Sequence, residues 1–592
     1  MNPPSMIPQS PCLNILQFFG STYAVPPFQR GFAWQEDQIR QMLEDFQEFL
    51  RGGEPVYLLG QVIVAPAKGD VEYELIDGQQ RTTSLLLLLS ALHRRFERIA
   101  ESDKNQRSKF LQTQLYQLIM YATRMGELKP RVTVSKDGIE LVEALINNDK
   151  LPEINGWTRE NLKEVYDTIN DFLDTNWPDM NETPDLYHDI VTKVYIVRLE
   201  LLSPDEAVHV FERINNRGLS LSSADLIKNL IFRNVNEQDY LEHVSTDWET
   251  ASTTLYQCKN GRVKTMEYLL RAMILIDTGD NVSNRDMRFR WEKKLNSDIS
   301  ALNFSRSLPV HATMIKNIDS GKTPSGKEYS INDGSKYFNM VQHYPILLAA
   351  DKLNKDAFNY LATIIEDRVI VSLLAKERPQ DFERIIPVWG HNIKKLNNTA
   401  TLQDVSDASG PAFRGLDNLM NNARTYVHSF RVQNATQKKR IRYLLARISR
   451  KIQMDAAEPI VPGINDFLTT SRSSRAVRLG YDIEHIRPSA HYGNKDLTNA
   501  IGNLVFAHPM DQRTAGDMAP VEKIDVYRTS NLILTRSLCS LDELILSPSQ
   551  QNAVRRIQEV APPTLYNWDD QAILNRTELY WRIFVSDLSI VG

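Results

Sequence analysis

The first 235 residues alternate short strand-like runs with helical spacing. Tyr57 to Val64 and Val71 to Ile76 are rich in Val, Ile, Leu and Tyr and predict two strands. Between them, Pro66-Ala67-Lys68-Gly69-Asp70 predicts a hairpin turn, because Pro presets φ and Gly tolerates positive φ. Lys193 to Leu199 predicts a further strand, followed by a helix through Asp205 to Arg213. From about residue 236 the apolar spacing is mainly helical, as in Met266 to Ile276 and Ala357 to Leu374. Ile318 to Gly334, rich in Gly, Ser, Asp and Lys, predicts a loop. The apolar run Leu85 to Leu89 precedes His93-Arg94-Arg95, as expected of a helix leaving the core for solvent. No internal repeat is present. At 592 residues the chain is too long for one core. We expect an α+β, multidomain protein, with an N-terminal domain over 1–235, a helical linking region over 236–423 and a C-terminal domain over 424–592.

Composition narrows this picture only locally. A hydrophobic share of 42% with 24% charged residues is ordinary for a globular chain. The net charge of −5 argues against a uniformly basic surface but leaves room for a local basic stripe. Such a stripe exists. Between Arg424 and Arg478 stand twelve Lys and Arg against three acids, with Lys438, Lys439, Arg440, Arg450 and Lys451 as candidate phosphate contacts. Cys12, Cys258 and Cys539 are far apart and form no Cys-x-x-Cys pair, so neither a disulfide framework nor a cysteine zinc site is expected. The first ten residues lack the pattern of a signal peptide, and no apolar run approaches membrane-spanning length. The expected location is cytoplasmic, with no membrane partner.

The candidate chemistry lies directly after the basic stretch. Asp482-Ile483-Glu484-His485-Ile486-Arg487-Pro488 places acids beside a histidine in a strand-like setting; Ile501-Gly502-Asn503-Leu504 follows, then Asp511 and Lys523. Phosphodiester hydrolysis needs a base for water and a way to neutralise charge on the phosphate. Neutral histidine can supply the first, and carboxylates holding Mg²⁺ the second.

Three further blocks mark the N-terminal region. They are Tyr23 to Trp34 (containing Val25-Pro26-Pro27-Phe28-Gln29-Arg30), Leu75-Ile76-Asp77-Gly78-Gln79-Gln80-Arg81-Thr82-Thr83, and Phe211 to Leu221 (containing Ile214-Asn215-Asn216-Arg217-Gly218), which continues to Asp225 and Lys228. The second block reads as strand, tight turn, then helix start, where free N–H groups suit a phosphate. Arg81 offers a bidentate contact, and Asp77 a ligand for Mg²⁺ or a hold on water. No P-loop pattern occurs.

The C-terminal set resembles the HNH, or ββα-metal, nucleases. The combination of Asp-Gly-Gln-Gln-Arg with its flanking blocks resembles the N-terminal domain of the GmrSD family of type IV restriction enzymes, in a single-chain arrangement like that of BrxU and SspE. The resemblance implies a ParB/sulfiredoxin-like N-terminal core that binds and hydrolyses GTP or ATP, and an HNH domain that cuts modified double-stranded DNA with Mg²⁺ or Mn²⁺. It implies His485 as general base, Asn503 as the residue that positions it, and Glu484 and Asp511 as metal ligands, with Asp482 as an alternative. Asp77, Gly78, Gln79, Gln80 and Arg81 become nucleotide-site candidates, with Arg30, Asn215, Arg217 and Lys228 in support. Tyr23, Phe28 and Trp34 become candidates for a modification pocket. A homodimer is plausible on the same footing, because each nuclease site is expected to cut one strand.

Overall fold

A computed structural model describes residues 12–26, 29, 31–67, 70–103, 106–134, 136–154, 156–201, 222–235, 238–327, 333–469, 480–488, 495–563 and 565–591. It parts the chain into two compact units, Met1–Arg271 with Ser283–Lys316, and Ala272–Val282 with Asn317–Gly592. The helical middle therefore contributes to both.

In the first unit, the predicted strands form part of a mixed six-stranded sheet. Its members are β1 (Cys12–Asn14), β2 (Tyr23–Ala24), β3 (Tyr57–Pro66), β4 (Tyr73–Asp77), β7 (Val132–Thr133) and β8 (Val194–Glu200), in the order β1-β8-β3-β4-β2-β7. β5 (Met120–Ala122) and β6 (Leu128–Pro130) form a separate antiparallel pair. β3 and β4 pair antiparallel, while β3 and β8 pair in parallel; Lys68 and Gly69 of the predicted turn lie outside the described residues. Helix α1 (Glu36–Gly52) turns Ile39, Met42, Leu43 and Phe46 inward, the i, i+3, i+4, i+7 stripe of a helix buried on one side. Helix α2 (Gln79–Asp103) is different, since Leu85 to Leu89, Ala91 and Leu92 are all buried. A helix apolar all round belongs inside, and this one forms the spine of the first core. The expected exit to solvent at His93–Arg95 does not occur. His93 and Arg95 are buried, and the Arg95 guanidinium donates to the Trp177 carbonyl. A buried guanidinium is tolerated only where such acceptors meet it.

The second unit is mostly helical. Helix α3 (Lys355–Leu374) carries three consecutive buried ionisable side chains, Glu366, Asp367 and Arg368. Each is matched. Glu366 accepts from Gly334 N at 2.6 Å, Ser335 Oγ at 2.7 Å and Tyr443 Oη at 2.9 Å. Asp367 meets Arg447 at 3.1 Å, and Arg368 meets Glu377 at 2.9 Å. Tyr443 and Arg447 lie on the basic helix α4 (Ala435–Asp455), so this network fixes the helix that carries Lys438. Arg442 of the same helix donates to the Tyr481 carbonyl, immediately before β9 (Asp482–His485). β9 pairs antiparallel with β10 (Leu504–Ala507), and helix α5 (Pro509–Ala515) follows. The closing helix α6 (Asp570–Ser586) packs behind the pair, its Tyr580 hydroxyl donating to the Leu504 carbonyl at 2.8 Å. Among the described residues no helix is long and apolar enough to cross a membrane. The three cysteines are free thiols. The predicted helix over Asp205 to Arg213 lies outside the described residues.

Candidate active site

In the N-terminal unit, the sequence blocks meet through side-chain-to-backbone bonds. Gly78 stands between β4 and α2 with φ +88°, and a Cβ there would lie 2.8 Å from Val62 Cγ2, so the turn requires glycine. Gln80 Oε1 accepts from Ala33 N at 2.8 Å and Trp34 N at 3.1 Å, while its amide donates to the Gly31 carbonyl at 3.3 Å. Gln29 donates to the Ile76 carbonyl at 2.9 Å, and the buried Lys228 ammonium donates to the Gln29 carbonyl at 2.8 Å. The first two blocks and the helix after the third are thus sewn together. Gln80 is spent on that seam. Asp77 accepts from Gly78 N at 2.8 Å, Gln79 is buried, and Arg81 donates to the Gln61 carbonyl at 3.0 Å. Phe28, Arg30, Asn215 and Arg217 lie outside the described residues.

Tyr23 sits in the core rather than at a pocket wall. It is 0% exposed, stacks on Phe18 at 4.5 Å between ring centroids, donates to the Phe18 carbonyl and accepts from Arg198. Burial pushes its hydroxyl up to about 12. A ring closed in on this scale has no face left for a base. Trp34 is half-buried and packs against the same core.

In the C-terminal unit, register places Leu504 opposite His485 and Val505 opposite Glu484. Glu484 is 3% exposed and Lys523 0%, and the two meet at 2.7 Å. The Lys523 ammonium also donates to the His485 carbonyl at 2.6 Å. Burial raises the Glu484 pKa above its ordinary value, against the pull of Lys523; Asp517 adds a like charge and Gln512 a hydrogen bond. Gln512 lies on α5 and Asp517 just after it, so this segment acts on Glu484 together with Lys523. Asp511 is half-buried on the first turn of that helix. Asp482 shares the Glu484 face of β9, and its charge acts on Arg442.

The His485 ring hydrogen-bonds Asn499, and its Nε2 is buried without a partner. Burial lowers its pKa first; Lys523 and Lys438 push the same way, and Asn499 opposes them. The imidazole is thereby held neutral, the form able to accept a proton. Asn503 does not reach the ring. Its Oδ1 accepts from Arg487 N and Trp568 Nε1, both at 2.9 Å, and its amide donates to the Arg487 and Thr498 carbonyls, both at 2.8 Å. It sets the backbone two residues beyond His485. Gly502 beside it presses on α6, where a Cβ would stand 2.1 Å from the Ile573 carbonyl oxygen.

The basic helix reaches this site at its N-terminal end. Arg431 bridges Ala500, and Val432 N donates to the Asn499 carbonyl at 3.0 Å. Lys438, exposed on the first turns of α4, is near enough for its charge to act on His485. Lys439 lies 4.7 Å over the Tyr337 ring, Arg440 is half-buried, Lys451 pairs with Asp455, and Arg450 is exposed. Lys438 is the member of the basic set that the structure brings to the histidine.

Oxygen donors would suit Mg²⁺, so the question is whether they converge. Among the described residues, no three His, Cys, Asp or Glu side chains are grouped to hold a metal ion. Glu484 faces an ammonium instead. Among the described residues, Asp482, Glu484 and Asp511 are thus not gathered into a divalent-ion site.

Residues 13–232 match the family model of the GmrSD restriction endonuclease, N-terminal domain. Residues 13–232 of the first unit are similar to that domain. No curated protein matches the chain. The match spans the first two blocks, the third block and Lys228, the residues that the seam around Gln29 and Gln80 draws together where they are described. The similarity is to one domain of a restriction endonuclease, and it ends well before the His485 hairpin.

Within the hairpin, sequence reasoning missed Asn499, Gln512 and Asp517 and left Lys523 without a role. Asn499 was findable, since it stands four residues before Asn503 in one short polar-flanked turn. The Lys523–Glu484 pair joins positions 39 residues apart and carries no local signal.

Proposed function

We propose that the chain is a modification-dependent DNA endonuclease of the type IV restriction class, in which the GmrSD-like domain governs an HNH-type cut made at His485. The observation that carries this reading is His485 itself. It sits on a strand–strand–helix unit beside Lys438, held neutral, with an inward nitrogen that nothing in the described structure satisfies. A buried, unsatisfied polar atom costs about 1–3 kcal/mol and calls for a functional reason. Here the reason is proton transfer: His485 Nε2 accepts a proton from the attacking water once the wall over it opens to substrate. Asn499 orients the ring, Asn503 fixes the backbone beyond it, and Lys438 attracts the phosphate.

The N-terminal helix start, with Asp77, Gly78, Gln79 and Arg81, is the proposed seat of GTP or ATP, and nucleotide binding or hydrolysis there controls the cut. A requirement for Mg²⁺ or Mn²⁺ then belongs to a state in which Lys523 has released Glu484. The test is digestion of modified phage DNA, unmodified DNA and RNA by the full chain, with and without each triphosphate and each metal. We expect cutting of modified DNA that responds to triphosphate. Equal cutting of all three substrates would refute the modification dependence. One observation favours a second reading, a nucleotide-regulated DNA-binding protein with a silent cutting site: Glu484 is committed to Lys523. Intact DNA binding without nicking under any of these conditions would establish it.

A further inference from the structure

Beside the hairpin lies a cleft of about 550 Å³ that the cutting chemistry does not use, lined by Arg487, Pro520, Val521, Tyr566, Trp568 and Asp570 among others. Its size falls in the range of small-molecule sites. We propose that it is a subsite for one nucleobase of the strand being cut, a proposal that rests on the endonuclease reading above.

Position is the first argument. Arg487 lies two residues past His485. The short 3₁₀ turn Pro520–Lys523 faces the cleft with Pro520 and Val521, while Lys523 at its other end holds Glu484 and the His485 carbonyl. An occupant of the cleft therefore lies one short turn from the reacting centre. The wall of the cleft carries an aromatic ring. Tyr566 is 71% exposed, yet its hydroxyl is tied to Glu543 at 3.2 Å, so the ring is presented in a fixed place. A tethered, solvent-facing ring is a stacking platform that loses little freedom when a base covers it.

Charge then selects the occupant. The Arg487 guanidinium is already matched to Asp570 at 2.7 Å, and Asp569 and Glu543 add carboxylates around the opening. A phosphate would be repelled, whereas a flat, neutral ring with N–H donors meets acceptors. Finally, cleft and hairpin share one residue. Asn503 takes the N–H of Arg487 and the indole N–H of Trp568 on the same oxygen. Pressure on the cleft floor thus reaches the backbone that sets His485, which gives a route from the identity of the flanking base to the rate of the cut.

The experiment places 2-aminopurine, whose fluorescence falls on stacking, at successive positions of a DNA duplex and titrates it with the full chain. The proteins compared are wild type, Tyr566→Ala, Tyr566→Phe and His485→Ala. We expect one position near the cut to respond with wild type and His485→Ala, to respond more weakly with Tyr566→Phe, whose ring has lost its tether to Glu543, and to fall silent with Tyr566→Ala. We also expect Tyr566→Ala to raise KM about 10-fold, within the range of base–aromatic stacking, with kcat changed far less and thermal stability unmoved. A Tyr566→Ala chain that matches wild type in both the fluorescence response and KM overturns the subsite and leaves the endonuclease reading standing. If wild type cuts no DNA at all, the endonuclease reading fails and takes the subsite with it; cutting with a fluorescence response that does not depend on Tyr566 ends the subsite alone.

Discussion

Replacing Lys523 by Met removes the cation from a carboxylate that has almost no contact with water. Glu484 is 3% exposed, and the ammonium at 2.7 Å is the opposite charge that the structure places on it. Breaking one side of a buried pair typically costs about 3–5 kcal/mol. The structure sets a ceiling of the same size by another route. A carboxylate too costly to leave charged takes up a proton, and from the ordinary value of 4.5 to pH 7 that costs about 3.4 kcal/mol at 1.36 per pH unit. The sign follows. In the variant the folded pKa of Glu484 lies far above the unfolded one, so the native state holds a proton that the unfolded state has lost. Stability then falls as pH rises above 4.5, by about 1.4 kcal/mol per unit. The defect is therefore largest at neutral pH and shrinks to about 0.7 kcal/mol near pH 5. Urea unfolding at pH 5, 6 and 7 measures it, with hydrogen exchange of the Ile486 amide, which donates to the Asn503 carbonyl at 2.9 Å, reporting on the hairpin itself. The double variant Lys523→Met with Glu484→Gln should lose the pH dependence. A defect of equal size at pH 5 and pH 7, or one below about 1 kcal/mol at neutral pH, would refute the reasoning.

Three further outcomes follow from the same geometry. Gly502→Ala drives a methyl into the backbone of α6, 2.1 Å from the Ile573 carbonyl oxygen and 2.7 Å from Thr577 N, and should cost at least about 1–3 kcal/mol in a thermal melt. Gln80→Leu removes the acceptor shared by Ala33 N and Trp34 N, both open in part to solvent, and should cost about 0.5–1.5 kcal/mol, the net worth of a typical hydrogen bond; proteolysis should then nick the chain between residues 31 and 35 first. Lys438→Ala should lower the slope of log affinity for DNA against log salt by about 1, with the melting temperature unchanged, because the side chain is exposed.

How much of this was legible beforehand depended on whether the signal was local. β3, β4 and β8 were visible as apolar runs bounded by turn residues, and α3 as a helical period, and each lies within a few residues of its expected bounds. The His485–Asn503 set was visible as residue types in order, and the pairing of β9 with β10 brings its strands together. What stayed hidden was the assignment of partners. Gln80 reads as a ligand in sequence because nothing local reveals the loop 47 residues upstream that consumes it. Tyr23 reads as a pocket residue from the family resemblance of its block, whereas Phe18, Tyr73 and Arg198 close over it from three elements. Glu484 reads as a metal ligand from its neighbour His485, and only the fold brings Lys523 to it.

The most direct test of the cutting claim is single-turnover nicking of modified phage DNA by wild type and His485→Ala, with Mg²⁺ and triphosphate present and DNA binding measured in parallel. The account predicts a fall in rate of about 10²- to 10⁴-fold, the usual worth of a general base, with DNA affinity held. Nicking by His485→Ala at the wild-type rate would contradict it.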